Sequence, residues 1–183
     1  ASGEDSTPVA PTGQYTPPKS IGNGYTFPND LHGQEEIRAG VAQLADQVAV
    51  RLRRHGMKCQ GVSLAIRDPN FRDISRQARL EMPTDLAREL TQAAMELAGG
   101  CWNMSSPVRA LTVTAIYLLP AEEAGAQLDL FSAGREEKRR RLERLEGAMD
   151  AIRAKYGPGA ISPASMPRDP GRERHAPPPG GRG

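Results

Sequence analysis

Apolar positions in the first two-thirds of the chain switch repeatedly between a period of two and a period near 3.6. A short strand is expected from about Lys19 to Phe27, closed by Pro28-Asn29-Asp30. From Gln34 to His55 the pattern is helical, because Ile37, Val41, Leu44, Val48 and Leu52 recur every three or four residues as one stripe. Gly40 weakens this helix locally. Arg51, Arg53, Arg54 and His55 suit the negative end of its dipole, and Gly56 stops it. Residues 58 to 67 alternate, with Val62, Leu64 and Ile66 on one side and Ser63, Ala65 and Arg67 on the other. Asp68-Pro69-Asn70 is a turn, and residues 71 to 82 form a second, more polar strand. Pro83-Thr84-Asp85 is expected to start a helix with Thr84 as N-cap. Leu86, Leu90, Ala93 or Ala94, and Leu97 form its buried stripe, and Gly99-Gly100 ends it. Val108 to Leu119 is apolar and β-branched, as expected at the centre of a sheet, and Pro120 terminates it.

This order, strand-helix-strand-strand-helix-strand, predicts an α+β fold. It is the ferredoxin-like, split β-α-β plan: four strands with two helices on one face and the other face open. The domain is expected over residues 19–120.

The flanks differ in composition. Residues 1–18 hold Pro8, Pro11, Pro17 and Pro18 and read as a linker. Residues 121–134 are polar and rich in small side chains. Residues 135–157 read as an amphipathic helix carrying Leu142, Leu145, Met149, Ile152 and Tyr156, with core packing as the commoner fate of such a stripe. Residues 158–183 are Pro, Gly and Arg, the composition of a disordered tail. The opening Ala1-Ser2-Gly3-Glu4-Asp5 reads as the tail of something upstream, so the chain is expected to be a fragment.

A net charge of +2 is too small to imply nucleic acid by itself, but arginine clusters at Arg51 to Arg54, Arg72 to Arg79 and Arg135 to Arg144. Cys59 and Cys101 lack metal-ligand spacing and are expected to be small buried hydrophobes in a reduced, cytoplasmic setting. No apolar run approaches the ~18 residues of a membrane span. His32, His55 and His175 are scattered, no phosphate-cradling loop occurs, and no set of carboxylates converges, so no catalytic or metal site is expected.

Two features are better candidates. The open sheet face carries Arg67, Arg72, Ser75, Arg76, Gln77 and Arg79, donors suited to successive phosphates, while Ser20, Gly22, Asn23 and Gly24 leave backbone open to close approach. A plain solvated face is the alternative. The low aromatic content, 4%, argues against base stacking. The second feature is Gln127-Leu128-Asp129-Leu130-Phe131, three apolar side chains and a glutamine at a polar junction. It suits a preformed groove on a partner, or else caps the chain's own core.

Together these residues resemble the C-terminal region of Y-family translesion DNA polymerases, the DNA polymerase IV group. Pro18-Lys19-Ser20-Ile21-Gly22-Asn23-Gly24 looks like the entry to their little-finger domain. Ser75-Arg76-Gln77-Ala78-Arg79 resembles its phosphate-contacting strand, and Val108-Arg109-Ala110-Leu111-Thr112-Val113 its last strand. Gln127 to Phe131 is similar to the family's peptide for the bacterial sliding clamp, and residues 150–157 resemble a trailing helix seen in some members. Ala1 to Asp5 resembles the end of the preceding thumb domain.

The resemblance implies a DNA-holding and clamp-binding fragment of a monomeric polymerase acting in DNA repair and lesion bypass, associated with the bacterial nucleoid. Contacts to primer-template DNA would come from Lys19, Ser20, Ile21, Gly22 and Asn23, largely through backbone, and from Arg72, Ser75, Arg76, Gln77 and Arg79. Gln127, Leu128, Asp129, Leu130 and Phe131 would bind the clamp. No cofactor is implied for this stretch, since Mg2+ would sit in a palm domain upstream. The competing readings are a stand-alone clamp- or DNA-interaction module and a small ferredoxin-like enzyme.

Overall fold

The computed structural model describes residues 18–125 and 133–161. The elements are β1 (Ser20–Leu31), α1 (Gly33–Arg54), β2 (Met57–Arg67), β3 (Asp73–Thr84), α2 (Ala87–Cys101), β4 (Val108–Pro120), the short α3 (Ala121–Gly125) and α4 (Ala133–Tyr156). The strands form one antiparallel sheet in the order β1-β4-β2-β3. Each β-α-β crossover therefore skips a strand: β4 lies between β1 and β2, and β2 lies between β3 and β4. The split plan and the α+β class expected from the sequence are what the chain adopts.

One face of the sheet is covered by α1 and α2. Ile37, Val41, Leu44, Val48 and Leu52 of α1 meet Leu90, Ala94 and Ala98 of α2 and Val62, Leu64, Ile66, Leu111, Val113 and Ala115 of the strands. Each side chain of Val or Leu size buried there contributes roughly 1.5–3 kcal/mol. Gly40 does more than weaken α1. A Cβ there would stand 3.0 Å from Leu31 Cδ1 and Phe27 Cζ, so its bare backbone lets the end of β1 cross the helix.

Several boundaries move. β1 runs through Pro28 to Leu31, with a register shift after Thr26, because it is an edge strand, where proline removes no ladder hydrogen bond. Pro83 and Thr84 belong to β3, with Thr84 paired to Cys59, so α2 starts only at Ala87. Thr84 Oγ1 accepts the Leu86 N–H at 3.1 Å, and Leu86 is the N-cap. Gly99 and Gly100 stay helical, and α2 ends at Cys101. Cys59 is buried, which pushes its thiol up to about 12, whereas Cys101 is only half-buried.

α4 folds back on the domain, and it does so with its charged side. Arg53, at the end of α1, donates from Nε and Nη2 to Asp150 at 2.6 and 3.1 Å and from Nη1 to Glu146 at 2.6 Å. Arg53 Nη1 also reaches the Asp85 carbonyl at 2.7 Å. Lys58 donates to Glu143 at 2.7 Å, Arg139 donates to the Pro83 carbonyl, and Arg153 pairs with Asp46 at 3.0 Å. These positions follow the i, i+4, i+7 spacing of one helix face. The apolar stripe expected to pack is largely outside: Leu145 is 56% and Tyr156 68% exposed, with Leu142 and Met149 half-buried at its border. Beyond α4, residues 158–161 form a turn whose Ile161 carbonyl accepts from Arg153 Nε at 3.0 Å; the rest of the expected tail lies outside the described residues.

Glu146 also accepts the Ala87 N–H through both carboxylate oxygens at 3.1 Å, capping α2 from 59 residues away. Burial pushes its carboxyl above the usual range, against the pull of the Ala87 N–H and Arg53, and Asp85 is pushed up by burial too. A carboxyl whose pKa is higher folded than unfolded holds its proton more tightly in the folded chain. Its contribution is full below the usual carboxylate range and is lost as pH rises through the raised value. The stability advantage of the parent over Glu146→Gln, read from urea midpoints, is therefore expected to shrink from about pH 4 to pH 7. An advantage that grows with pH would show that the Arg53 ion pair outweighs burial.

Candidate nucleic-acid interface

The register of the sheet defines its uncovered face residue by residue. Directly paired residues point the same way, so four rows cross the face from β3 to β1. They are Asp73, Arg67, Ala110, Thr26; Ser75, Ala65, Thr112, Gly24; Gln77, Ser63, Thr114, Gly22; and Arg79, Gly61, Ile116, Ser20. Only small, hydroxyl or amide side chains occupy the middle two rows. A Cβ at Gly22 would sit 2.7 Å from Thr114 Oγ1, and one at Gly24 2.5 Å from Thr112 Oγ1. The surface is thus low, hydroxyl-rich and able to admit another backbone closely.

The expected DNA-contacting residues divide over this geometry. Ser20, Gly22, Ser75, Gln77 and Arg79 share the uncovered face. Lys19 is exposed just ahead of β1. Ile21 pairs with Ala115 on the covered face and is buried, so only its backbone is available. Asn23 also faces the helices, where its Nδ2 donates to Gln47 Oε1 at 2.7 Å. Arg76 is paired with Leu64 and leaves β3 on the helix side, with its Nη1 on the Ser75 carbonyl at 2.8 Å. Arg76 and Arg79 are three positions apart, and a strand alternates every residue, so no slip of register could place both on one face.

Arg72 stands at the tip of the β2–β3 hairpin. The Asp68 carboxylate accepts the N–H groups of Asn70 and Arg72 at 2.8 and 2.9 Å and holds this turn. Arg67 is on the uncovered face, but Asp73 takes its guanidinium in a two-point pair at 2.7 and 2.8 Å. That pairing holds Asp73 below the usual carboxylate range. Arg79 carries no carboxylate partner among the described residues and remains a free cation on the face. At the opposite edge, Arg51 Nη1 donates to the Gly22 carbonyl at 2.9 Å.

The low aromatic content hides several exposed rings, Tyr25 and Tyr156 among them, and two others sit on left-handed backbone. Phe71, at the hairpin tip, has φ +62° and is 77% exposed. Tyr117, on β4, has φ +54° and is 42% exposed. Strict alternation from Val113 and Ala115 would send Tyr117 into the core. The left-handed backbone turns it out instead, over Gly61, and the Arg79 guanidinium lies 4.4 Å from its ring centroid. The only sequence signal was the bare Gly61 two strand positions before Ser63.

Gln127, Leu128, Asp129, Leu130 and Phe131 lie outside the described residues. No three His, Cys, Asp or Glu side chains converge as a metal-binding set among the described residues. No described helix is long and apolar enough to cross a membrane.

Residues 18–130 match the family model of the impB/mucB/samB family C-terminal domain. The chain is 36% identical over 174 residues to a DNA polymerase IV of Acetivibrio thermocellus, covering 95% of this chain and 43% of that protein. It is 37% identical over 161 residues to a DNA polymerase IV of Moorella thermoacetica, covering 88% and 38%. Against DNA polymerase IV 1 of Bacillus subtilis it is 32% identical over 139 residues, covering 76% and 33%. The chain therefore spans less than half the length of these relatives.

Proposed function

The chain belongs to the impB/mucB/samB family C-terminal domain, and from that membership we propose that it is the DNA-holding, clamp-tethered part of a translesion DNA polymerase. The observation that carries the reading is the uncovered sheet face, a carpet of glycine and hydroxyl side chains with an unpaired arginine at its corner. Such a face suits phosphate oxygens better than base edges. A polymerase that copies damaged templates gains from gripping backbone, because an altered base offers no dependable contact. The domains follow in order: residues 1–18 lead from a thumb, residues 19–120 hold DNA, and residues 121–134 carry the clamp peptide Gln127 to Phe131. α4 then braces the domain. Polymerisation, with its Mg2+, belongs to a palm outside this chain. The setting is the bacterial cytoplasm, at the nucleoid, and the chain acts as a monomer on primer-template DNA.

Fluorescence anisotropy with primer-template DNA tests the face. Arg79→Ala is expected to weaken binding roughly fivefold to tenfold and to lower the salt slope by about one, evenly across sequences. Arg76→Ala, on the helix side, is expected to change the slope less. An unchanged slope for Arg79→Ala would mean that DNA lies elsewhere.

A further inference from the structure

We infer that Tyr117 is a positioning residue for DNA binding: its ring is the platform that holds the Arg79 guanidinium over the sheet, edge-on to an incoming phosphate. The inference rests on the proposed DNA-holding role of this face. Three observations converge on it. A bulky residue at φ +54° is strained, and strain of this kind persists only where the surroundings impose it. The strain turns outward a ring that strand alternation would have buried. The ring then lies where only glycine leaves room, since a Cβ at Gly61 would come within 2.8 Å of Tyr117 Cδ2 and 2.9 Å of Ile116 Cγ1.

Arg79 supplies the other half. Its guanidinium carbon lies over the ring, 4.4 Å from the centroid, and no carboxylate pairs with it among the described residues. A cation–π contact uses no hydrogen-bond acceptor and so leaves the guanidinium's N–H donors unspent. A long arginine side chain in water samples many rotamers, and ordering it on binding costs conformational entropy. A ring that holds it in place removes part of that cost before DNA arrives. The small residues Gly61 and Ser63, paired with Arg79 and Gln77 across β2, keep the approach to Arg79 low from that side.

The test uses the whole 183-residue chain and a double-mutant cycle. Tyr117→Asn removes the ring and keeps a residue that tolerates the left-handed backbone. Tyr117→Phe keeps the ring and removes the hydroxyl. Affinity for primer-template DNA and its salt slope are measured for both, for Arg79→Ala, and for the Tyr117→Asn, Arg79→Ala double variant, with thermal melts to confirm folding. Tyr117→Asn is expected to lose roughly threefold in affinity, Tyr117→Phe to bind like the parent, and the double variant to bind no worse than Arg79→Ala alone. Parent-like binding by Tyr117→Asn, or losses that simply add, would overturn the positioning role. If Arg79→Ala itself is silent, the DNA-holding reading fails first and takes this one with it.

Discussion

Replacing Leu130 and Phe131 together by alanine is expected to abolish binding of the chain to a bacterial sliding clamp, a loss of at least about a hundredfold, with DNA affinity unchanged. In a short peptide that seats in a groove, a few buried apolar anchors carry most of the energy, and each truncation costs on the order of 2 kcal/mol. Gln127 would supply the polar end of the anchor, and Leu128 and Asp129 set its spacing. On the proposed reading the clamp peptide and the sheet face act separately, so a pull-down on the clamp and an anisotropy titration on DNA should separate cleanly. Retained clamp binding by the double variant would sink the assignment. Such a tether would matter because a backbone grip of a few phosphates is weak, and tethering would raise the local concentration of the proposed holding domain at a primer end.

The second large effect concerns Arg53. Arg53→Ala is expected to cost about 3 kcal/mol of stability and to lower the melting temperature by about 10 °C. This guanidinium spends its donors on Asp150, Glu146 and the Asp85 carbonyl, joining α1, α4 and the start of α2. Its side chain is only 14% exposed, so removing it leaves two carboxylates facing each other in partly dry surroundings. Arg53→Lys should rescue little, because a point charge cannot serve three acceptors in a fork. Hydrogen exchange gives the specific readout: amides of α4 and of Ala87 should lose protection while β2 and β4 keep theirs. Full protection of α4 in Arg53→Ala would show that the half-buried Leu142 and Met149 hold the helix by themselves.

Much of the architecture was legible because its periods are strong. Val62, Leu64 and Ile66 against Ser63, Ala65 and Arg67 sort onto two faces by alternation alone, and the α1 stripe from Ile37 to Leu52 is equally plain. What escaped was set by tertiary partners. The start of α2 could not be read locally, because its capping acceptor, Glu146, arrives from another helix. The packed side of α4 was missed because the leucine stripe suggested burial, whereas paired charges at Glu143, Glu146, Asp150 and Arg153 make the contact. Tyr117 was missed because one left-handed residue inverts the alternation that made β4 readable. The candidate face was visible as a list of side chains, but the list mixed two faces until the pairing of Leu64 with Arg76 and of Gly61 with Arg79 separated them.

The clasp made by α4 has a consequence for where this protein can be cut. A chain trimmed after β4, at Pro120, would keep every strand and both covering helices and would look whole by sequence. It would nonetheless strip the acceptor from the Ala87 amide and leave Arg53 and Lys58 without their carboxylates across the seam. The autonomous piece is therefore longer than the sheet-and-helix core that defines it by eye, and an excised core lacking α4 should start to unravel at the first turn of α2.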